Sequence, residues 1–333
     1  MNALKLAIKF SAVIVVLLLC AAASLLFGGA VSASELLMEL SGSSTDTAVS
    51  DIFWQIRLPR MLGAAASGML LAASGCTVQL LFRNPLSSPH VLGAVNSAAL
   101  GAVVVMAWFG GSALLMLCGS GAGALLAIFL LLLIGKNYRQ TASLLLAGIA
   151  LNAFASAAMS GILFLAGERL EGVVFWLLGG FWRLDWQSCW ILLAAVGITI
   201  IVLLGGRREM NMLYLGETAA AAAGVNTRRV IVIAVLVASA ATAATVAHCG
   251  VIGFVGLLVP HIARRIFGGE FRTHLLGAVL IGAWLMIAAD WVGRVLFYPL
   301  EVPIGVLTSV IGAPFFLMLV IGRLKSNSGG CEQ

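Results

Sequence analysis

The feature that most restricts this chain is a recurrence of apolar stretches from one end to the other, each of about 18–25 residues, enough to cross a bilayer as helix. In lipid only helices and closed barrels satisfy every backbone N–H and C=O. The stretches lack the in–out alternation of barrel strands, so the chain reads as an all-α integral membrane protein. Composition agrees: 62% of the 333 residues are hydrophobic, 10% are charged and the mean hydropathy is +1.10. A water-soluble domain carries about 25% charge. No polar stretch is long enough to fold alone, so residues 1–333 read as one transmembrane domain.

Ten spans are predicted, near residues 8–28, 58–82, 92–109, 112–135, 142–166, 189–205, 229–248, 256–268, 274–293 and 304–322. The third and eighth are short or glycine-interrupted, a form tolerated only where protein or a cavity shelters the backbone. Ala64 to Gly68, Gly119 to Gly123 and Ala238 to Ala244 are runs of small residues, which let membrane helices approach closely. A compact bundle follows.

The formal charge of +6 could suggest a nucleic-acid partner, but its distribution says otherwise. With the N-terminus in the cytoplasm, 14 of the 19 basic residues fall on the inner side, Lys5, Lys9, Arg83, Arg207, Arg208, Arg228, Arg229, Arg264 and Arg265 among them. Arg57, Arg60, Arg169, Arg183 and Arg294 fall outside. The basicity is a topology signal with both termini cytoplasmic, and no nucleic acid is implied. Lys5 and Lys9, the apolar run after them and Val31-Ser32-Ala33 also fit a cleavable secretory signal, although the run is long for one.

No catalytic centre is legible. There is no G-x-x-x-x-G-K-[ST], H-E-x-x-H or G-x-S-x-G. The four histidines (90, 248, 261, 274) lie far apart, and the six cysteines (20, 76, 118, 189, 249, 331) form no C-x-x-C. The cysteines read as small buried hydrophobes rather than metal ligands or disulfides. The chain is therefore read as a non-enzyme with no catalytic or metal site, driven by a partner or an ion gradient.

Four segments stand out. The inner stretch 206–228 is bounded by basic pairs. Between them lie Met210, Met212, Leu213, Tyr214, Leu215 and a helix-forming run from Glu217 to Ala223. Gly216 and Gly224 punctuate it as two short helices with a turn between and a stop after. It is either an interfacial helix on lipid or a docking surface for a cytosolic groove. R-L-P-R at 57–60 places two arginines on one helix face at the outer side, joined by Arg294. They either snorkel or receive an acidic protein; Asp290, one turn before Arg294, competes for that arginine. In F-R-N-P-L-S-S-P-H-V-L-G (82–93), Pro85 and Pro89 forbid continuous helix, giving a plain inner loop or a sheltered one beside a pore. In the fifth span, Asn152, Ser156 and Ser160 share one face; such a stripe knits helices together or lines a path.

Taken together, R-L-P-R, N-P-L-S-S-P-x-x-L-G, L-L-A-G-I-A-L, L-G-E-T-A-A-A-A-A-G-V-N, G-F-V-G-L-L-V-P-H-I-A-R and L-E-V-P-I-G-V-L-T-S-V-I-G-A-P-F-F resemble the FecCD-type permeases. These are the membrane subunits of ABC importers for iron-siderophores, haem and cobalamin. The matches run in family order from about residue 57 to 320. The resemblance implies a type II importer bundle of about ten helices in a bacterial inner membrane. It also implies a second permease subunit (a homodimer), two cytosolic ATPase subunits carrying ATP and Mg, and an extracytoplasmic substrate-binding protein; no cofactor is expected on this chain. By position, Arg57, Arg60 and Arg294 resemble the arginines that dock the binding protein. Asn84, Leu86, Thr141 and Ala142 resemble the cytoplasmic gate. Leu213 to Gly224, including Leu215, Gly216, Glu217, Ala219 and Gly224, is similar to the ATPase-coupling helices. The chain departs from the family at His248-Cys249-Gly250-Val251, where Ala-Gly-Pro is usual. Phe175-Trp176 to Phe181-Trp182, with Trp186, reads as an interfacial aromatic belt. The rival is an ion-gradient-driven secondary transporter, for which the chain offers only Asp290 as an intramembrane acid.

Overall fold

A computed structural model describes residues 3–28, 31–41, 47–110, 112–135, 141–165 and 170–328. Among them the regular structure is helical. The ten predicted spans appear as α1 (Ala3–Leu26), α4 (Leu58–Leu81), α5 (Ala94–Phe109), α6 (Ala113–Gly135), α7 (Thr141–Leu165), α9 (Trp186–Gly205), α12 (Thr227–Cys249), α13 (Val255–Phe267), α14 (Phe271–Val295) and α15 (Ile304–Ser328). Short helices fill the connections: α2 (Ala33–Leu40), α3 (Thr47–Asp51), α8 (Leu170–Leu177), α10 (Arg207–Tyr214) and α11 (Glu217–Ala222). A π-helical turn, Ile52–Arg57, joins α3 to α4 without a break. Among the described residues seven helices are long and apolar enough to cross a membrane; the apolar helix Ile304–Leu319 within α15 is shorter, as are α5 and α13, the predicted third and eighth spans.

The helix α4 is the axis of the bundle. From Pro59 to Leu81 only Leu62 and Met69 are not buried. Around it pack α14, α12, α13 and α9. Its small residues explain the density. A Cβ added at Gly68 would lie 2.1 Å from the Gly282 carbonyl oxygen of α14, and one at Gly75 would lie 2.0 Å from that of Gly256 in α13. Two turns separate Gly68 from Gly75, so one face of α4 carries both contacts. The pair α5–α6 uses the same device: a Cβ at Gly101 would lie 1.9 Å from the Gly119 carbonyl oxygen. Buried hydroxyls add cross-links, as where Ser74 Oγ donates to the Ala238 carbonyl at 2.8 Å.

The two short spans arise where the chain breaks inside the bundle. One break, Phe82–Gly93, precedes α5; the other, Gly250–Phe254, precedes α13. Left-handed residues turn the chain at the start of each helix, Gly93 at φ 74° and Phe254 at φ 64°. The breaks meet, with Gly256 packed on the Pro89 ring. Side chains satisfy part of the broken backbone: Gln79 Nε2 donates to the Leu257 carbonyl at 3.1 Å, and Asn152 Nδ2 to that of His90. Backbone pairs add Gly180 N–H to Cys249 C=O and Ile304 N–H to Gly179 C=O, each at 2.9 Å.

The aromatic stretch differs from the sequence expectation. Trp176 and Phe181 are core residues, 3% and 0% exposed, while Phe175 and Trp190 face outward. Trp176 packs in the cluster with α5, α6 and α12, because α8 lies over the bundle instead of in the interface.

Gly68→Ala is expected to lower stability by about 1–3 kcal/mol through overpacking at the α4–α14 seam. Gly161→Ala in α7, where an added Cβ meets nothing within 4 Å, serves as the control. Thermal unfolding in detergent measures both. An unshifted midpoint for Gly68→Ala contradicts the seam.

Candidate functional site

At one end of the bundle Arg57, Arg60 and Arg294 lie together, with Arg60 and Arg294 converging on the carboxylate of Asp290. Asp290 of α14 is 1% exposed. Arg60 Nε and Nη2 donate to its Oδ1 at 2.9 and 2.8 Å, and Arg294 Nε donates to Oδ2 at 3.0 Å. The Asp290–Arg294 pair is the i,i+4 contact that spacing predicts. Arg60 also forks onto Glu301, Nη1 to Oε1 at 3.0 Å and Nη2 to Oε2 at 2.9 Å. Glu301 was missed as a site residue; its place in L-E-V-P beside the start of α15 was the available signal.

The remaining donors close the C-terminus of α1, where the last carbonyls lack helical partners and carry partial negative charge. Arg57 Nη1 donates to Leu25 C=O at 2.7 Å, and Nη2 to Val31 C=O at 3.3 Å. Arg294 Nη2 donates to the carbonyl and hydroxyl of Ser24 at 3.0 and 2.7 Å. All three arginines are buried, at 7–9% exposure. Beside them a cavity of about 340 Å³ is lined by Phe27, Gly28, Trp291, Arg294, Val295 and Tyr298.

The opposite, basic end carries the stretch 206–228 as two helices. Gly216 (φ 126°) turns the chain between α10 and α11, and Gly224 (φ 82°) ends the second. Burial alternates sharply. Leu213 is 3% exposed and packs in the core, whereas Leu215 is 70% exposed and Met212 and Tyr214 are about 40% exposed. Ala219 and Gly224 are exposed; Glu217 is half-buried. The element is fastened to the spans. Asn211 Oδ1 accepts from the Phe271 N–H at the start of α14 at 2.9 Å, and Arg264 of α13 hydrogen-bonds the Tyr214 hydroxyl while lying 4.8 Å from that ring's centre.

The broken segment after α4 also reaches this end. Asn84 Oδ1 accepts from Leu86 N–H at 3.0 Å, an Asx turn that shapes the loop. Asn84 is exposed and Leu86 half-buried. Thr141 and Ala142 open α7, and their side chains lie outside the described residues. The α7 stripe divides in use. Asn152 reaches His90, Ser156 Oγ accepts from Asn96 Nδ2 of α5 at 3.1 Å, and Ser160 turns back on its own helix, donating to Ser156 C=O at 3.0 Å. Two of the three thus knit α7 to its neighbours, while Ser156 and Ser160 stay exposed.

At the C-terminal end of α12 Cys249 is buried, and His248 faces Asp185, the residue that caps α9 by accepting from Ser188 N–H at 2.8 Å. Burial pushes the Asp185 carboxyl upward, but hydrogen bonds from Ser188 and the charge of His248 hold it below its ordinary value.

The sequence profile of the FecCD transport family matches residues 14–322. The hemin transport system permease HmuU of Yersinia pestis is 37% identical over 309 residues, covering 90% of this chain and 92% of that protein. The vitamin B12 import system permease BtuC of Salmonella newport is 38% identical over 275 residues, covering 80% and 83%. Among solved structures, a transporter described as metal-chelate ABC type, in an inward-facing conformation, superposes with a TM-score of 0.85 at 31% identity, covering 95% of this chain and 99% of that one. PsaBC of Streptococcus pneumoniae shares the fold alone, at 16% identity and a TM-score of 0.54. An all-helical membrane permease of ABC-transporter type is thereby defined. The chain belongs to the FecCD transport family.

Removing one partner of a buried, hydrogen-bonded ion pair costs about 3–5 kcal/mol. Asp290→Ala is therefore expected to collapse the heat-stable folded fraction. Glu301→Gln, at a side chain 39% exposed, should cost less than about 1 kcal/mol. Thermal unfolding of the two variants checks this; similar midpoints contradict the ranking.

Proposed function

We propose that this chain is the membrane-spanning subunit of an ATP-driven importer that moves a metal chelate (a ferric siderophore, haem or cobalamin) into the cytoplasm by alternating access. The chain resides in a bacterial inner membrane with its basic end in the cytoplasm, as the distribution of Lys and Arg favours. It pairs with a second copy of itself. The cargo class follows from relatives named for hemin and vitamin B12.

The observation that carries this reading is the α10–α11 element. It presents Leu215 to the surrounding solvent, yet Leu213, Asn211 and Tyr214 anchor it to the core, α14 and α13. A loop that transmits force must be exposed to its driver and rigid toward the spans; differential contact in two states then moves the equilibrium. Two ATPase subunits, holding ATP and Mg, dock there. Asn84, Leu86, Thr141 and Ala142 close the inner mouth, and Asn152, Ser156 and Ser160 of α7 face the path along the subunit interface.

At the other end Arg57, Arg60 and Arg294 receive the carboxylates of a substrate-binding protein. Arg294 Nη1, whose contact with Gly28 C=O is long at 3.5 Å, borders the outer cavity and is the donor with most to gain. A gradient-driven mechanism is disfavoured by the same cluster. Asp290 accepts from two guanidinium groups, so it is not free to carry an exchanging proton or ion.

The test uses permease and ATPase subunits reconstituted in vesicles. Leu215→Asp, at a side chain 70% exposed, is expected to leave the fold intact and to cut ATP-dependent uptake at least about tenfold, a 1.4 kcal/mol loss of coupling. Leu213→Asp, which buries a charge, should instead unfold the inner end. Uptake of the wild-type rate in a well-folded Leu215→Asp protein contradicts the proposal.

A further inference from the structure

A second cavity, of about 470 Å³, opens at the basic end between the last turns of α9, helix α10 and the first turns of α12. Its walls divide by chemistry. Val202, Val230 and Ile233 form an apolar side. The same two spans present Ile198, Ile201 and Leu236 on exposed faces, where the helices meet lipid. The polar side consists of Glu209, Asn226 and Arg229.

Two of these polar groups are unspent. Glu209 Oε2 is buried and has no hydrogen-bond partner. Arg229 is exposed; its backbone N–H is taken by Asn226 Oδ1 at 3.1 Å, while its guanidinium has no partner among the described residues. The two side chains line one cavity without pairing to each other. A carboxylate oxygen removed from water without a donor is costly, and the group that relieves it best is a cation with N–H donors. A free guanidinium at a membrane boundary selects a phosphate. An apolar wall continuous with lipid-facing helices accepts hydrocarbon.

We infer that this cavity is a binding site for a phospholipid with a primary ammonium headgroup, a phosphatidylethanolamine. Its phosphate sits on Arg229, its ammonium on Glu209, and its chains run along Val202, Val230 and Ile233. An anionic glycerol lipid would pair its phosphate with Arg229 but leave the Glu209 carboxylate without a cation. A choline lipid offers Oε2 a cation but no N–H donor. The bound lipid bridges the inner ends of α9 and α12 to α10 and to the turn after α11, and so stiffens the base of the exposed two-helix element. Lipid binding is measured on the permease without ATPase or transport, so it stands or falls separately from the import function.

The test is native mass spectrometry of the full chain in a mild detergent, titrated with ethanolamine, choline and glycerol phospholipids of identical acyl chains. The wild type is expected to hold one ethanolamine lipid with about tenfold preference over the choline lipid, the scale of a hydrogen bond between charged groups. Glu209→Gln should bring the two toward parity, and Arg229→Gln should weaken both together. Equal retention of ethanolamine and choline lipids by the wild type, which needs no variant to fold, overturns the site. So does stronger retention of the glycerol lipid, or an unchanged preference in monodisperse Glu209→Gln.

Discussion

The fold depends on one requirement: backbone polar groups at membrane depth must find partners inside the protein. Continuous helices meet it automatically, and among the described residues continuity fails inside the bundle at Phe82–Gly93 and Gly250–Phe254. The first follows α4 directly and the second leads into α13, whose first turn packs on α4, with contacts made by glycine and by side-chain amides. Gly75 and Gly256 remove the Cβ atoms that would hold α13 away, and Gln79 reaches across to a freed carbonyl. The broken segments can exist only because the central helix is made of small residues. That central helix in turn is stable only because four spans, α9, α12, α13 and α14, bury it.

The same economy appears at the ends. Charge at the arginine end is gathered into one buried group, in which Asp290 holds Arg60 and Arg294 while Arg57 and Arg294 satisfy the end of α1. Any acidic partner that docks there meets arginines already oriented by internal bonds, so little side-chain entropy is lost on binding. The inner end is arranged the other way. Leu215 and Met212 are exposed without cover, and Glu209 and Arg229 face a cavity unpaired. One end is closed on itself; the other is open to partners.

The spans were legible because hydropathy and length are local properties, and all ten predicted spans have a helix. The turn at Gly216 and the stop at Gly224 were legible for the same reason, since a φ of 126° or 82° strongly favours glycine. The start of α4 was not: the chain is already helical from Thr47, through a π turn, where the sequence is too polar to read as a span. Nor was the commitment of the arginines. Arg294 has a partner four residues away, but Arg60 finds Glu301 241 positions later and Arg57 finds Leu25 32 positions earlier. Trp176 and Phe181 look interfacial in one dimension; packing of α8 against α5, α6 and α12 buries Trp176, and Phe181, beyond α8, enters the main core.

The most direct measurement of the central claim is purification of the tagged chain from its native membrane with identification of what accompanies it. A permease driven from its α10–α11 element predicts a stoichiometric ATPase subunit carrying G-x-x-x-x-G-K-[ST]. A folded chain that comes alone, and that by itself supports uptake driven by an ion gradient in vesicles, would contradict it.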